Sequence, residues 1–214
     1  GAGGHFCAGG DIKDMAGARG QKAAEGEADP FYRLNRAFGQ MIQQVNESSK
    51  VVIAVTEGAV MGGGFGLACV SDVAIAGPTA KFGMPETSLG VIPAQIAPFV
   101  VERIGLTQAR RLALLGLRID ANEACRLGIA HQAASSDDEL EDMLGSALDR
   151  VRQCAPVATA ETKALLHRVG HEPMSGLLDS AAEKFAEAIR GSEGTEGTMA
   201  FMQKRKPAWA GESD

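Results

Sequence analysis

Met61-Gly62-Gly63-Gly64-Phe65 lies between an apolar, β-branched run, Val51-Val52-Ile53-Ala54-Val55, and an apolar segment, Phe65-Gly66-Leu67-Ala68-Cys69-Val70. That order of residues predicts a buried strand that passes through a glycine turn into a short helix. Glu57-Gly58 interrupts the strand before the triplet. Two further strands follow, Asp72-Val73-Ala74-Ile75-Ala76 and Ala80-Lys81-Phe82-Gly83, joined by the turn Gly77-Pro78-Thr79. Strand, helix, strand, strand makes an α/β core. Beyond Pro93 the spacing turns helical. One helix runs from Ile96 to Ile104 and ends at Gly105, a second is capped by Thr107 and runs to Leu115, and Asp120-Ala121-Asn122-Glu123 opens a third that Gly128 closes. Ile129-Ala130-His131-Gln132-Ala133 reads as a last short strand.

From Asp137 onward the apolar residues recur at helical spacing, in one stripe through Leu140, Met143, Leu144, Ala147, Leu148 and Val151 and another through Leu177, Leu178, Ala181, Phe185 and Ile189. The expected organisation is an α/β core over residues 1–136 and a helical region over 137–214. The segment from Asp14 to Pro30, rich in Ala, Gly, Glu and Lys without periodicity, reads as a loop or weak helix over the site. The opening Gly1-Ala2-Gly3-Gly4 carries no initiator Met and stands directly against a candidate site turn, which predicts that a natural N-terminal part is missing.

A second glycine turn of the same shape, Cys7-Ala8-Gly9-Gly10-Asp11, precedes the first, and a carboxylate follows at Pro85-Glu86. Glycines at a strand-to-helix turn let a ligand approach the backbone, and the first amide N–H groups of a helix have no partner inside it. Two such turns side by side aim two free N–H groups at one oxygen atom, which is an oxyanion hole for a carbonyl that gains negative charge. With Glu86 to move a proton, the arrangement suits chemistry through an enolate, such as hydrating or shifting a double bond conjugated to a thioester.

Composition excludes several alternatives. The 27 glycines in 214 residues are well above the usual share of about 7%, which requires many tight turns or close backbone approaches. A net charge of −6 argues against nucleic acid or an anionic membrane as the main partner. No apolar run reaches the ~18 residues of a membrane span. Cys7, Cys69, Cys125 and Cys154 show no C-x-x-C pairing, and His5, His131, His167 and His171 have no ligand spacing, so no metal site is expected. Reduced thiols in apolar surroundings point to the cytoplasm.

Phe6-Cys7-Ala8-Gly9-Gly10-Asp11-Ile12-Lys13, Gly62-Gly63-Gly64, Asp72, Phe82-Gly83-Met84-Pro85-Glu86, Leu89-Gly90-Val91-Ile92-Pro93 and Phe201-Met202-Gln203-Lys204-Arg205-Lys206 together resemble the enoyl-CoA hydratase/isomerase (crotonase) superfamily in order and spacing. The resemblance implies an α/β fold built as a spiral of ββα units, a helical C-terminal region that makes a trimer or a dimer of trimers, and an acyl-CoA thioester substrate, coenzyme A being part of that substrate rather than a separate cofactor. It maps the oxyanion N–H groups to Gly10 and Gly63 and the catalytic carboxylate to Glu86. The implied substrate-binding set is Ala8, Asp11, Ile12, Gly62, Gly66, Pro85, Ala94 and Gln95, with Phe201 and Lys204 of the C-terminal helix against the CoA of a neighbouring subunit. The loop that wraps the adenine end of CoA in family members precedes the first oxyanion turn and is not in this chain.

Two departures narrow the resemblance. Hydratases of the family commonly carry a second glutamate at the position of Gly66, and the glycine-rich stretch after Pro93 is replaced by Ala94-Gln95-Ile96-Ala97-Pro98-Phe99. Both changes resemble hydratases of branched glutaconyl-CoA esters, the isohexenylglutaconyl-CoA hydratases above all. On this reading Gly66 leaves space for a bulky β-substituent, and Gln95 is a candidate partner for a distal carboxylate. Two alternatives stay open at this point: a Δ3,Δ2-enoyl-CoA isomerase, for which one glutamate suffices, and a non-catalytic acyl-CoA-binding subunit.

Overall fold

Two three-stranded sheets fix the ends of the segments that matter for chemistry. In this computed structural model, which describes residues 1–10 and 26–211, β1 (Ile53–Thr56), β3 (Val73–Ala76) and β6 (Gln132–Ala133) pair in parallel in the order β1-β3-β6. In the second sheet β2 (Ala59–Met61) lies parallel to β4 (Lys81–Gly83), which pairs antiparallel with β5 (Arg118–Asp120). Residues 6–7 add a further parallel segment on the free edge of β2, through Cys7 N–H to Ala59 O (2.9 Å) and Met61 N–H to Cys7 O (2.9 Å). Strands of this length and β-branched content, buried on both faces, are typical of parallel sheets covered by helices.

The strand expected over Val51–Val55 is β1, but the strand that runs into the glycine turn and α2 (Gly63–Val70) is a separate one, β2, in the other sheet. The helix predicted on either side of Gly105 is one element, α3 (Ala97–Leu115), kinked where Gly105 takes φ 73 and ψ 158. Only a glycine adopts those angles readily, so the stop signal became a bend. The predicted capping box holds: Asp120 Oδ1 accepts from Glu123 N–H at 2.9 Å and starts α4 (Ala121–Leu127), which ends on left-handed Gly128. β5 was not foreseen, because three residues before a helix cap carry no alternation to read.

Sequence reading also passed over α1 (Pro30–Asn46). Its signals are plain in hindsight. Pro30 occupies the first helical position, Asp29 Oδ1 accepts from Phe31 N–H (2.7 Å) and Tyr32 N–H (3.3 Å), and Phe38, Ile42 and Val45 recur at helical spacing against the core. That core holds Phe65 and Phe82 edge to face with ring centroids 6.3 Å apart, together with Ile42, Val60, Met84, Ile96, Val100 and Leu112.

The chain divides into two compact units, Gly1–Asn46 with Val52–Leu144, and Glu47–Val51 with Gly145–Asp214, so the boundary falls inside α5 (Asp137–Arg152). The second unit continues with α6 (Pro156–Arg168), α7 (Met174–Arg190) and α8 (Ser192–Met202). Glu193 caps α6 by accepting from Val157 N–H (2.9 Å) and Ala158 N–H (3.0 Å), Arg205 pairs with Glu196, and Trp209 Nε1 donates to Gln153 O at 3.2 Å. Lys163, buried, donates from Nζ to Lys50 O at 3.2 Å.

Phe82 is wholly buried on the strand that ends beside Glu86. Phe82→Ala is expected to lower unfolding stability by about 3–5 kcal/mol in urea denaturation, the usual cost of deleting a core aromatic ring. A loss below about 1 kcal/mol would mean that this ring does not organise the core.

Candidate active site

Three parallel segments finish at one edge, and each runs straight into a residue of the predicted site. Residues 6–7 lead into Ala8-Gly9-Gly10, β2 into Gly62-Gly63, and β4 into Met84-Pro85-Glu86. The second turn is tied to the third by Gly62 N–H donating to Gly83 O at 3.0 Å. Gly62 is the point where all three meet. A Cβ built on it would lie 3.0 Å from Glu86 Oε1 and 3.8 Å from Gly9 Cα, and its φ of 53 is left-handed in any case. Gly9 likewise has φ 105.

Neither Gly10 N–H nor Gly63 N–H has a backbone acceptor among the described residues. Gly63 is the first residue of α2, where an unpaired N–H is the geometric rule and the helix dipole favours negative charge. The remaining glycines of the turn are there for close approach. A Cβ on Gly63 would stand 2.6 Å from the Phe38 ring of α1, and one on Gly64 would stand 2.5 Å from Cys7 Cβ. The triplet therefore lets one helix start pack between α1 and the first turn.

Glu86 opens a short 3₁₀ turn, Glu86–Leu89, closed by left-handed Gly90. Ser88 Oγ donates to Pro85 O (2.6 Å) and Thr87 Oγ1 to Ala113 O (2.7 Å), which fixes the turn against α3. The carboxylate is half-buried, and its Oε2 is fully enclosed without a hydrogen-bond partner among the described residues. Burial pushes its pKa above the ordinary 4.5, partly offset by its own backbone N–H. An enclosed carboxylate whose Oε2 has no partner among the described residues and whose pKa is raised by burial is a candidate proton carrier.

The other expected site residues fall into three groups. Ala8 and Ala94 are exposed and Pro85 is half-buried, each next to a residue of the turns or of the following segment. Asp11 and Ile12 lie outside the described residues, as does most of the segment from Asp14 to Pro30, of which 26–30 lead into α1. Phe201 and Lys204 belong to the second unit. Phe201 is 86% exposed at the end of α8, and Lys204 follows it at φ 55.

The expectation that Gly66 leaves open space needs correcting. Gly66 is buried in α2, and a Cβ there would run into the Ile96 side chain and lie 3.3 Å from Ile42 Cδ1. Ile96, in the segment after Pro93, and Ile42 of α1 fill the volume, so the glycine serves helix packing. Gln95 is likewise committed within the protein: its Nε2 donates to Asn35 Oδ1 at 2.9 Å, and its carboxamide lies on Gly39. Sequence reading missed the α1 residues Asn35, Phe38, Gly39 and Ile42, for which the helical spacing after Pro30 was the available signal.

Away from this edge the titratable groups are structural. Arg103 donates to Gly128 O, Ser71 O and Ile129 O, and His131 Nδ1 accepts from Ala74 N–H at 2.9 Å. Burial, followed by the nearby Arg103, holds the His131 pKa down, and burial pushes the Cys69 thiol up to about 12. Among the described residues no cluster of three or more His, Cys, Asp or Glu is placed to hold a metal. No helix among them is long and apolar enough to cross a membrane.

Two glycine turns beside one enclosed carboxylate have the arrangement expected of an oxyanion hole with a proton carrier. The model of the enoyl-CoA hydratase/isomerase family matches residues 1–212. A solved enoyl-CoA hydratase/isomerase from Marinobacter aquaeolei is 85% identical and superposes with a TM-score of 0.95, over 98% of this chain and 80% of that one. AtuE of Pseudomonas aeruginosa is 58% identical with a TM-score of 0.93, over 98% of this chain and 80% of that one. Human mitochondrial methylglutaconyl-CoA hydratase is 30% identical over 214 residues, 98% of this chain and 60% of that protein. The chain belongs to the enoyl-CoA hydratase/isomerase family and has the crotonase fold. It is an enoyl-CoA hydratase, a hydro-lyase that acts on CoA thioesters.

Four outcomes follow for Glu86 and Gly62. Glu86→Gln is expected to keep the fold and lower kcat by ~10²–10⁴-fold, the range of a general acid–base group; retention of more than a tenth of the activity would move the role elsewhere. The acid limb of the kcat/KM profile is expected to have its midpoint above 4.5, because Glu86 must be ionised to take a proton and burial raises its pKa. The sign for stability is the same: with a raised folded pKa the ionised side chain weakens the fold as pH rises through that value, so Glu86→Gln at pH 7 is expected to be at least as stable as the parent. Gly62→Ala, which strains φ and presses on Glu86 Oε1, is expected to cut kcat at least tenfold. Parent-like kinetics there would disconnect Gly62 from the site.

Proposed function

We propose that the protein adds water to the double bond of a branched 2-enoyl-CoA of the methylglutaconyl or isohexenylglutaconyl type. The observation that carries this reading is that Glu86, enclosed against Gly62, has no second carboxylate at position 66, where many relatives place a glutamate by resemblance and this chain has a buried glycine covered by Ile96. The resemblance of Gly66 and of the Ala94–Phe99 segment to branched glutaconyl-CoA hydratases supports the acyl class. So does the likeness over nearly the whole chain to a methylglutaconyl-CoA hydratase.

The mechanism uses one proton carrier. The thioester carbonyl oxygen sits between Gly10 N–H and Gly63 N–H, which stabilise the negative charge it gains; one such donor is typically worth about 3–4 kcal/mol. The Glu86 carboxylate takes a proton from water as the water oxygen bonds to the β-carbon. The electron pair of the double bond moves through the α-carbon to the carbonyl oxygen. Glu86 then returns its proton to the α-carbon as the enolate collapses, so that one water molecule has been added and Glu86 is again ionised. Ala8, Asp11, Ile12, Gly62, Pro85 and Ala94 line the thioester and acyl group in this proposal, and Phe201 and Lys204 meet the CoA of a neighbouring subunit. A trimer or dimer of trimers accounts for the exposed apolar side chains Phe185, Phe201 and Met202 of the helical region. The proposed compartment is the cytoplasm.

The test is turnover of isohexenylglutaconyl-CoA, 3-methylglutaconyl-CoA and crotonyl-CoA by the full-length protein in ¹⁸O-labelled water. The expected product is a labelled 3-hydroxyacyl-CoA, with kcat/KM at least tenfold higher for a branched ester than for crotonyl-CoA. Bond migration without label, or preference for the linear ester, would contradict the reading.

A further inference from the structure

Helix α1 carries a cation that no described residue neutralises. Arg36 is half-buried, yet among the described residues its guanidinium has no hydrogen bond and no ion pair. It folds along the helix over Gly39, where a Cβ would lie 3.0 Å from Nη1 and would collide with Gln95 Oε1. The bare Cα of Gly39 thus lets the guanidinium and the Gln95 carboxamide share one spot. Gln95 is held there by its bond to Asn35 Oδ1, one turn earlier on the same helix. Half-burying a guanidinium without an acceptor is costly, and Arg is the side chain best shaped to take a carboxylate.

The location is informative. Phe38 lies on Gly63, whose N–H is half of the oxyanion hole, and Gly39 is the next residue, its Cα about 3.8 Å away. Ile96, adjacent to Gln95, covers Gly66 in the helix that starts at Gly63. The same stretch of α1 therefore touches the glycine turn through Phe38 and carries the Arg36 guanidinium over Gly39, the residue next to Phe38.

We propose that Arg36, folded over Gly39 beside Gln95, binds a carboxylate at the far end of the acyl group and so makes the site select dicarboxylic enoyl-CoA esters. This rests on the glutaconyl-type substrate proposed above and names the residue that reads its second carboxylate. Asn35 and Gly39 act as positioning residues, one by fixing Gln95 and the other by leaving room for it.

The experiment compares 3-methylglutaconyl-CoA with 3-methylcrotonyl-CoA, which has the same β-branch and lacks the carboxylate. In the full-length protein Arg36→Leu is expected to lower the ratio of the two kcat/KM values by about 10–100-fold, the effect of losing a hydrogen bond to a charged group. The loss should fall mainly in KM, and Arg36→Lys should restore part of it. Gly39→Ala, which drives the Gln95 carboxamide away, should move the ratio in the same direction. A ratio within threefold of the parent, or an equal fall for both esters, would overturn the role of Arg36 while leaving the substrate reading intact. A parent enzyme that hydrates the neutral ester and not the dicarboxylic one would overturn both.

Discussion

The candidate site depends on one constraint, the parallel alignment of three strand ends. Cys7 pairs with Val60, β2 pairs in register with β4, and Gly62 N–H is bonded to Gly83 O. Parallel strands end on the same side, so the turns that follow them are neighbours without further instruction. Gly9-Gly10, Gly62-Gly63 and Glu86 are far apart in sequence and adjacent in space for this reason. The two backbone donors need no side chain to aim them, because the sheet does so.

The second requirement is room. Three consecutive glycines at the head of α2 answer three different neighbours: Glu86 and the backbone twist at Gly62, Phe38 at Gly63, and Cys7 at Gly64. Gly66 answers Ile96, and Gly39 answers Gln95. At Gly63, Gly64, Gly66 and Gly39 the neighbour is closer than a Cβ permits, which ties these glycines to specific approaches rather than to loose structure. Helix α1 lies against the glycine turn, with Phe38 on Gly63, Ile42 in the core and Arg36 without a partner among the described residues. The enclosed Oε2 of Glu86, without a partner among the described residues, fits the same picture, since a proton carrier must be shielded from water and open to its substrate.

Much of this was legible in the sequence, and what was not has a physical explanation. The strand–glycine–helix order around Met61–Phe65 and the capping box at Asp120 were readable because glycine turns and caps are local chemistry. The partners of each glycine were not, since Phe38, Ile96 and Cys7 come from other elements. The idea that Gly66 left space failed on that point: a missing side chain in the sequence does not tell whether a neighbour has filled the gap. Helix α1 was overlooked because its apolar spacing follows an unpatterned segment. Gly105 was read as a stop where the chain only bends, which a helix tolerates when both halves stay packed.

The central claim is that Gly10 N–H and Gly63 N–H grip one carbonyl oxygen beside Glu86. The most direct measurement is a crystal structure of the full-length protein with a bound, unreactive enoyl-CoA analogue. The account predicts the thioester oxygen at about 2.7–3.1 Å from both amide nitrogens, with the Glu86 carboxylate facing the α- and β-carbons. A thioester oxygen that contacts neither amide, or that lies on the far side of Gly62 from Glu86, would contradict it.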